Sequence, residues 1–317
     1  MRNAYIKKLY ELAGQDSRIM ALVSDNGAIV YDEFRRDFTD RFINFGISEA
    51  NMIGTAAGLA ACGKIPFAYT ISNFLTMRAF EQVRNDVCLQ KMNVKLVGIG
   101  AGFIYSDLGP THHSTEDIAL MQILPGMTVL SPADPLESSY CTEAALQIDG
   151  PVFLRLGTGG TPVLYSEPYD FQVGKGVVLR DGDDLTIFAT GAIVQETVTA
   201  VDQLKEKGIS ARLINLHTIK PIDIEIICKA AKETGAILTV EEHSVHGGLG
   251  SSVSAVLHED YSSSPVCFKR MGLQDKFSVG YGSYQDMKEM NGLSSKDIIN
   301  EVQNLVDHKV NDKHVQT

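Results

Sequence analysis

The chain has 317 residues, which is long enough for two domains with full cores. Its 44% apolar and 21% charged residues are typical of globular proteins, and its net charge of −11 argues against nucleic acid or an anionic membrane as a partner. Five scattered cysteines in no metal-binding spacing, no signal-peptide pattern and no long apolar run predict a protein of the cytoplasm.

Short apolar runs alternate with helical patterns in the first half of the chain. The predicted strands are Ile19–Ser24, Ile65–Tyr69, Val94–Ile99, Thr128–Ser131 and Val152–Leu156. The predicted helices are residues 48–62, 74–90, 114–124 and 135–148. Asp134 and Pro135 supply an N-cap and a first-turn proline for the last of these helices. This alternation predicts a parallel sheet with helices on both faces.

A polar stretch at residues 166–176 predicts a linker, and a second alternating set follows it. Its predicted strands are Val177–Leu179, Leu185–Ala189, Ser210–Asn215, Ala236–Glu241 and Val266–Arg270. Its predicted helices are residues 192–207, 222–234 and 248–259, and a last helix after a capping-box pattern at Ser294 and Asp297. The acidic segment at residues 180–184 is interpreted as a hairpin-like connection between two strands. We therefore predict an α/β protein with one domain at residues 1–165 and a second at residues 177–317.

The segment Phe45–Gly63 carries one acidic side chain, Glu49, ahead of mostly small and apolar residues. Gly54 and Gly58 lie four positions apart, so this predicted helix can pack closely against a neighbour. A carboxylate in apolar surroundings is costly to dehydrate unless something nearby needs a negative charge or a proton. Glu49 is therefore a candidate site residue, although the helix dipole alone also favours an acid at a helix N-terminus.

Three further patches contain residue types that carry chemistry. His112 and His113 stand in a loop after a predicted strand, where open α/β sheets bind ligands, although a loop histidine is often only solvated. Phe74 is either a core residue or part of a ligand platform. The glycine-rich segment 241–250 either binds an anion through backbone N–H groups or packs tightly against another domain. The sequence contains no recognised metal-ligand spacing, nucleotide phosphate loop or hydrolase elbow.

Taken together, these patches resemble the transketolase family of thiamine diphosphate enzymes, which transfer two-carbon ketol units. The resemblance covers nearly the whole chain, but only the last two of the family's three domains. The pyrimidine-binding domain is similar to GISEANMIGTAAGLAACGKIPFAYT, RAFEQVRND, NVKLVGIGAG, GPTHHSTEDIALM and PGMTVLSPAD. The C-terminal domain is similar to GDDLTIFATGAIV and TVEEHSVHGGLGS. The resemblance implies the fold of these two domains, each a mainly parallel sheet flanked by helices.

The family's Gly-Asp-Gly motif does not occur in this sequence. In the family this motif and a later Asn hold the diphosphate and its divalent metal in an N-terminal domain. The resemblance therefore implies a split transketolase, in which a separate N-terminal subunit supplies that domain and the Mg²⁺ ligands. Because family active sites form between two chains, we expect an α2β2 assembly that shares thiamine diphosphate, with no metal ligand on this chain.

The resemblance also implies roles for individual residues. It makes Glu49 the acid that hydrogen-bonds N1′ of the aminopyrimidine, where proton sharing lets the cofactor act as an electron sink. It makes His112 the histidine beside the reacting carbons of the substrate, so both are predicted catalytic residues. The other expected cofactor contacts are Phe74, Ile71, Met52 and Arg78. The expected substrate contacts are His112, Asp107, Asp25, Arg155 and Thr158.

Several positions depart from the family pattern around the sugar. Leu108 replaces an Asp that contacts a sugar hydroxyl, and Gly100 stands where some members have a phosphate-contacting His. Thr158 stands where many members carry the Arg that binds the sugar phosphate, and Ile71 replaces a Phe of the pyrimidine pocket. Loss of charge-assisted contacts weakens the binding of sugar phosphates. The sequence therefore predicts an atypical sugar substrate, either unphosphorylated or carrying another terminal group.

Three alternatives to a split transketolase stay open at this point. One is an enzyme similar to deoxyxylulose-phosphate synthase, and another is the β subunit of a 2-oxo acid dehydrogenase. Sequences of that β subunit lack the GPTHxxxEDIA pattern present here. The third alternative is a non-catalytic regulatory or binding subunit, but Glu49, Phe74 and His112 are all retained.

Overall fold

The computed structural model describes residues 1–27, 29–261 and 265–315 of the chain. Twelve strands occur in these residues. The first six are β1 Ile19–Val23, β2 Phe42–Asn44, β3 Ile65–Ile71, β4 Lys95–Ile99, β5 Thr128–Leu130 and β6 Val152–Leu156. The others are β7 Val177–Arg180, β8 Leu185–Ala189, β9 Ala211–Asn215, β10 Thr218–Lys220, β11 Ala236–Ser244 and β12 Cys267–Leu273.

Eleven α-helices occur in the same residues. In the first half they are α1 Arg2–Gln15, α2 Asp32–Asp37, α3 Glu49–Ala61, α4 Phe80–Gln82, α5 Asp117–Gln122 and α6 Pro135–Gln147. In the second half they are α7 Val194–Glu206, α8 Ile224–Thr234, α9 Leu249–Glu259, α10 Tyr284–Met290 and α11 Ser295–Val315. None of the helices in the described residues is both long and apolar enough to cross a membrane.

The strands form two sheets, which confirms the predicted architecture of two α/β domains. The first sheet has the order β10-β5-β6-β4-β3-β1-β2 and the second has the order β12-β11-β8-β9-β7. Both are mainly parallel, with an antiparallel strand at one edge of each: β10 pairs with β5, and β7 pairs with β9. The predicted hairpin at residues 180–184 is wrong, because β7 and β8 lie on opposite sides of β9 and do not pair.

Strand β10 belongs by sequence to the second domain but completes the first sheet. It follows β9 after two residues, and its Thr218 is opposite Leu130 of β5. An apolar cluster also runs from the first sheet to α8 and α9 of the second domain through residues such as Ile214 and Ile219. This shared strand and continuous apolar packing fix the two domains to each other.

The predicted helix at residues 74–90 differs in detail from the one observed. Residues Phe74–Arg78 and Val83–Cys88 form π-helical turns on either side of α4. Such turns accommodate an extra residue in a helix and occur often at functional sites. The predicted N-cap at Asp134 is confirmed, since its side chain accepts a hydrogen bond from the Glu137 N–H. The reciprocal hydrogen bonds between Ser294 and Asp297 are also present.

Candidate active site

The carboxyl ends of the parallel strands meet along one edge of the first sheet, and the start of α3 lies at this edge. Ser24, just after β1, donates a hydrogen bond from Oγ to the Gly46 carbonyl at 2.7 Å and accepts one from the Ser48 N–H at 3.2 Å. Gly46 has a φ of +65°, which a glycine adopts without strain. These contacts fix the turn that leads into α3 and place Glu49 in its first turn.

Glu49 is buried, with 2% of its surface exposed, and its carboxylate is paired with a cation. Arg78 Nη1 lies 2.7 Å from Glu49 Oε2, and the same guanidinium lies 4.5 Å from the centre of the Phe74 ring. Phe74 and Arg78 come from the two ends of one π-helical turn. The guanidinium is therefore held between a carboxylate and an aromatic face, and all three side chains share one surface.

His112 joins this group from the loop that follows β4. Its ring lies edge-on to Phe74 with the ring centres 5.2 Å apart, and its Nδ1 is 2.9 Å from the Thr111 hydroxyl. Asn73 Nδ2 donates to the Thr111 carbonyl at 2.5 Å and so ties the loop to the segment that carries Phe74. With Nδ1 occupied, Nε2 is the ring nitrogen of His112 that is available to a ligand.

The remaining predicted contacts are not all at this surface. Ile71 ends β3 and is partly buried, whereas Asp25 and Asp107 are exposed at the same edge of the sheet. Met52 is fully buried in the apolar core one turn after Glu49 and is therefore not at this surface, contrary to the expected cofactor contact. The backbone N–H of Asp25 donates a hydrogen bond to Asn44 Oδ1 at 3.2 Å, which holds Asp25 in place.

Arg155 does not fit the predicted role of substrate contact. It is buried, with its Nε 2.9 Å from both carboxylate oxygens of Asp117. Its Nη2 donates to the carbonyls of Ser114 and Glu242 at 3.1 and 3.0 Å. Since the last of these belongs to the second domain, this guanidinium links the active-site loop to β11. The structure therefore corrects the prediction and gives Arg155 a structural role.

Thr158 lies after β6 and close to an arginine that the sequence analysis did not single out. The Thr158 carbonyl accepts a hydrogen bond from the Met1 ammonium at 3.3 Å. A Cβ built on the next residue, Gly159, would lie 3.3 Å from Arg2 Nη2. Helix α1 runs antiparallel to β1, so its first turn reaches the carboxyl edge of the sheet. A helix that precedes the first strand of a parallel sheet begins at the carboxyl edge of that sheet, and this rule could have pointed to Arg2.

The electrostatic environment places Arg2 near two tyrosines. Burial raises the pKa of Tyr69 and Tyr105, and the positive charge of Arg2 opposes this rise in both. Arg2 Nε donates to Asn3 Oδ1 at 3.2 Å, and within the described residues no carboxylate pairs with the Arg2 guanidinium. The edge of the sheet near Thr158 therefore does carry a cation, supplied by α1.

The glycine-rich segment 241–250 contains its own anion. Glu241 accepts hydrogen bonds from the backbone N–H groups of Leu249 and Gly250 at 2.7 and 2.8 Å. A Cβ on Gly248 would lie 2.0 Å from Glu241 Oε2. Of the two interpretations of this segment, tight packing therefore holds, because the buried carboxylate already occupies the N-terminus of α9.

Comparison with known proteins decides the family. The profile described as transketolase, pyrimidine binding domain, matches residues 1–162, and the profile for the transketolase C-terminal domain matches residues 174–298. The chain belongs to the transketolase family. The expected family and the expected folds of its two domains are thereby confirmed.

Individual members of the transketolase family are similar along almost all of this chain. The 6-deoxy-6-sulfo-D-fructose transketolase subunit of Clostridium sp. (strain MSTE9) is 40% identical over 98% of this chain and 95% of its own length. An apulose-4-phosphate transketolase subunit of Phocaeicola vulgatus is 38% identical over 94% of each chain. A solved split-gene transketolase, described as an inactive beta4 tetramer, has a TM-score of 0.89 at 40% identity, over 96% of this chain and 98% of its own.

Proposed function

We propose that this chain is the C-terminal subunit of a two-subunit, thiamine diphosphate-dependent transketolase that transfers a two-carbon ketol unit from a ketose to an aldose. The observation that carries the proposal is the contact series from Glu49 through Arg78 and Phe74 to His112. It offers a buried carboxylate, an aromatic face and an oriented imidazole along one surface. Similarity to proteins named as transketolase subunits supports the same reaction class.

The retained residues fit the pyrimidine end of the cofactor. Bound thiamine diphosphate would supply the electron sink for cleavage of the carbon–carbon bond. Glu49 would hold a proton at N1′ of the aminopyrimidine, because its carboxylate is buried and its Oε1 has no hydrogen-bond partner among the described residues. Phe74 would support the ring through its face. His112 would hold or move a proton at a substrate oxygen through Nε2, since Thr111 occupies Nδ1.

The sugar in this proposal carries a terminal tetrahedral anion in a non-standard position or of non-standard type. Both relatives support this choice by name, one with a sulfo sugar and one with apulose 4-phosphate. Thr158 provides no charge, but the neighbouring Arg2 guanidinium has no carboxylate partner in the described part of the chain. Arg2 would bind the anion in place of a charged residue at position 158, with Asp25 and Asp107 available to the sugar hydroxyls.

The partner in the proposal is an N-terminal subunit that binds the diphosphate and Mg²⁺, in an α2β2 assembly. No group of acidic, histidine or cysteine side chains in the described residues could hold a metal ion, so the Mg²⁺ ligands are assigned to that partner. The names of the relatives, each one subunit of a transketolase, support such a division. The proposed location of the assembly is the cytoplasm, in keeping with the scattered spacing of the five cysteines in the sequence.

The first test is calorimetry of thiamine diphosphate with Mg²⁺, for the isolated chain and for the chain mixed with its partner. We expect weak or no binding by the isolated chain and tight binding by the mixture. Tight binding by the isolated chain would contradict the division of the cofactor site. Ketol transfer is then assayed with sulfo- and phospho-ketoses, and pyruvate is tested as an alternative donor. Use of pyruvate instead of ketoses would favour an enzyme of the deoxyxylulose-phosphate synthase or 2-oxo acid dehydrogenase type.

The second test is Glu49→Gln, which keeps the shape of the side chain and removes its charge and proton. The assembled variant should lose about 10²- to 10⁴-fold in kcat, the usual contribution of a positioned acid–base group. Glu206→Gln, an exposed carboxylate at the end of α7, is the matched control and should leave kcat unchanged. An unchanged rate for Glu49→Gln would remove Glu49 from the mechanism, and the absence of any activity in the wild-type assembly would favour a non-catalytic subunit.

A further inference from the structure

A tyrosine ring occupies the space beside Gly100, the residue that follows β4. Gly100 has a φ of +80°, and a Cβ built on it would lie 2.1 Å from Tyr105 Cε2 and 2.3 Å from Tyr105 Cδ2. Any side chain at position 100 would therefore displace the ring of Tyr105. The position of the Tyr105 ring therefore requires glycine at 100, and the ring takes the volume that a larger residue at position 100 would fill.

Tyr105 also borders the proposed reaction site. Its ring lies edge-on to His112, with the ring centres 6.5 Å apart and the planes at 80°. Tyr105 is only partly buried, so one side of it is open to a ligand. It therefore stands at the boundary of the space beside His112, on the side towards the carboxyl end of β4.

The hydroxyl of Tyr105 belongs to a group of neutral polar atoms with unmet hydrogen-bonding capacity. Asn26, in the loop after β1, lies within hydrogen-bonding range of this hydroxyl, and its buried Nδ2 has no other partner in the described residues. The hydroxyl of Tyr69, a fully buried residue of β3, also has no hydrogen-bond partner in the described residues. Buried polar groups without partners are rare in native proteins, because each costs the free energy of its dehydration. The Asn26 amide and the Tyr105 hydroxyl are therefore neighbouring polar groups that a bound molecule can join through further hydrogen bonds.

We propose that Tyr105 is a specificity-determining residue of the sugar site. Its ring limits the length of sugar chain that fits beyond His112, and its hydroxyl acts with the Asn26 amide to bind a neutral hydroxyl of the sugar. A sugar hydroxyl suits this position because it donates and accepts hydrogen bonds, as the tyrosine and the amide require. The inference rests on the proposed ketol transfer, and it assigns recognition of the neutral part of the sugar to Tyr105 and Asn26, near the Arg2 guanidinium that would bind the anionic end.

The test uses the two-subunit enzyme with thiamine diphosphate and Mg²⁺. Tyr105→Phe removes only the hydroxyl, and Tyr105→Ala removes the ring. Tyr10→Phe is the matched control, because its hydroxyl bonds Asp37 on the surface, well along α1 from the site. Donor ketoses of five, six and seven carbons are compared: xylulose 5-phosphate, fructose 6-phosphate, 6-deoxy-6-sulfo-D-fructose and sedoheptulose 7-phosphate.

For Tyr105→Phe we expect KM for the best donor to rise about 2- to 10-fold, the loss of one neutral hydrogen bond, with kcat and cofactor affinity unchanged. For Tyr105→Ala we expect the ratio of kcat/KM for the seven-carbon donor to that for the five-carbon donor to rise at least about 10-fold. The control should match the wild type. Equal effects of Tyr105→Ala on all donors, or an unchanged KM in Tyr105→Phe, would overturn the proposal.

The same variants separate this proposal from the proposed function. If the wild-type assembly transfers no ketol unit, ketol transfer is disproved, and the affinity of the assembly for each sugar is measured by calorimetry instead. Weaker sugar binding by Tyr105→Phe than by the wild type would still support a recognition role. Equal affinities, or no sugar binding by any form, would overturn it. Cofactor binding by each variant verifies that the site is folded.

Discussion

Glu137 gives a sharp prediction because its carboxylate is fully buried where the two domains and the linker meet. It lies on α6 of the first domain and accepts hydrogen bonds from Asn215 of β9 at 2.9 and 3.0 Å. The hydroxyls of Tyr165 and Tyr169, from the segment between the domains, donate to it at 3.1 and 2.7 Å. Burial raises the pKa of Glu137 from 4.5 to about 7, although these donors oppose the rise.

This pKa links the stability of the protein to pH. The folded state holds the Glu137 proton more tightly than the unfolded state does. The stabilisation that this proton gives is therefore fully present below about pH 4.5 and is lost as pH rises through about 7. The difference between the two pKa values corresponds to about 3 kcal/mol, most of which is lost between pH 5 and pH 8. Glu137→Gln removes this proton equilibrium and keeps the volume of the side chain.

The assay is urea unfolding of the wild type, Glu137→Gln and the control Glu143→Gln at several pH values from 5 to 8. Glu143 lies on the exposed side of the same helix. Relative to the wild type, Glu137→Gln should gain about 2–3 kcal/mol in free energy of unfolding across this range, whereas the control should stay parallel to the wild type. Parallel curves for Glu137→Gln would refute the reasoning, because the hydrogen bonds would then compensate fully for burial.

Two further variants test the structural support of the site. Asp117→Asn should reduce the free energy of unfolding by about 3–5 kcal/mol, because it leaves the Arg155 charge buried without its partner. Asp32→Asn, which breaks an exposed ion pair, should cost less than about 1 kcal/mol, and similar costs for the two would contradict the argument. Asn73→Ala should lower kcat/KM of the assembled enzyme about 5-fold, because it frees the loop that carries His112. The substitution Asn304→Ala, at an exposed position, is the control. An unchanged kcat/KM in Asn73→Ala would show that the loop keeps its position without this hydrogen bond.

The sequence identified residues whose chemistry is unusual for their local pattern. Glu49 stood out as one acid among small and apolar residues, and the structure confirms that it is buried. His112 stood in a loop after a strand, and its contact with Phe74 follows from the way parallel strands bring successive loops to one edge. Strands were predicted well because buried parallel strands form continuous apolar runs, which are visible without any knowledge of their neighbours.

The sequence by itself determined the fold class and most element positions, and it singled out the acid and the imidazole of the candidate site, since these depend on local patterns and on residue type. Only the tertiary structure decided how distant segments meet. It pairs Arg155 with Asp117 and adds β10 to the first sheet. It also places Arg2 near Thr158 and the ring of Tyr105 beside Gly100. The physical reason is that the sequence around Arg155, three residues before Thr158, is the same whether this arginine contacts a ligand or a buried carboxylate. The direction of its side chain and its partner depend on the packing of strands and helices that are far apart in the chain.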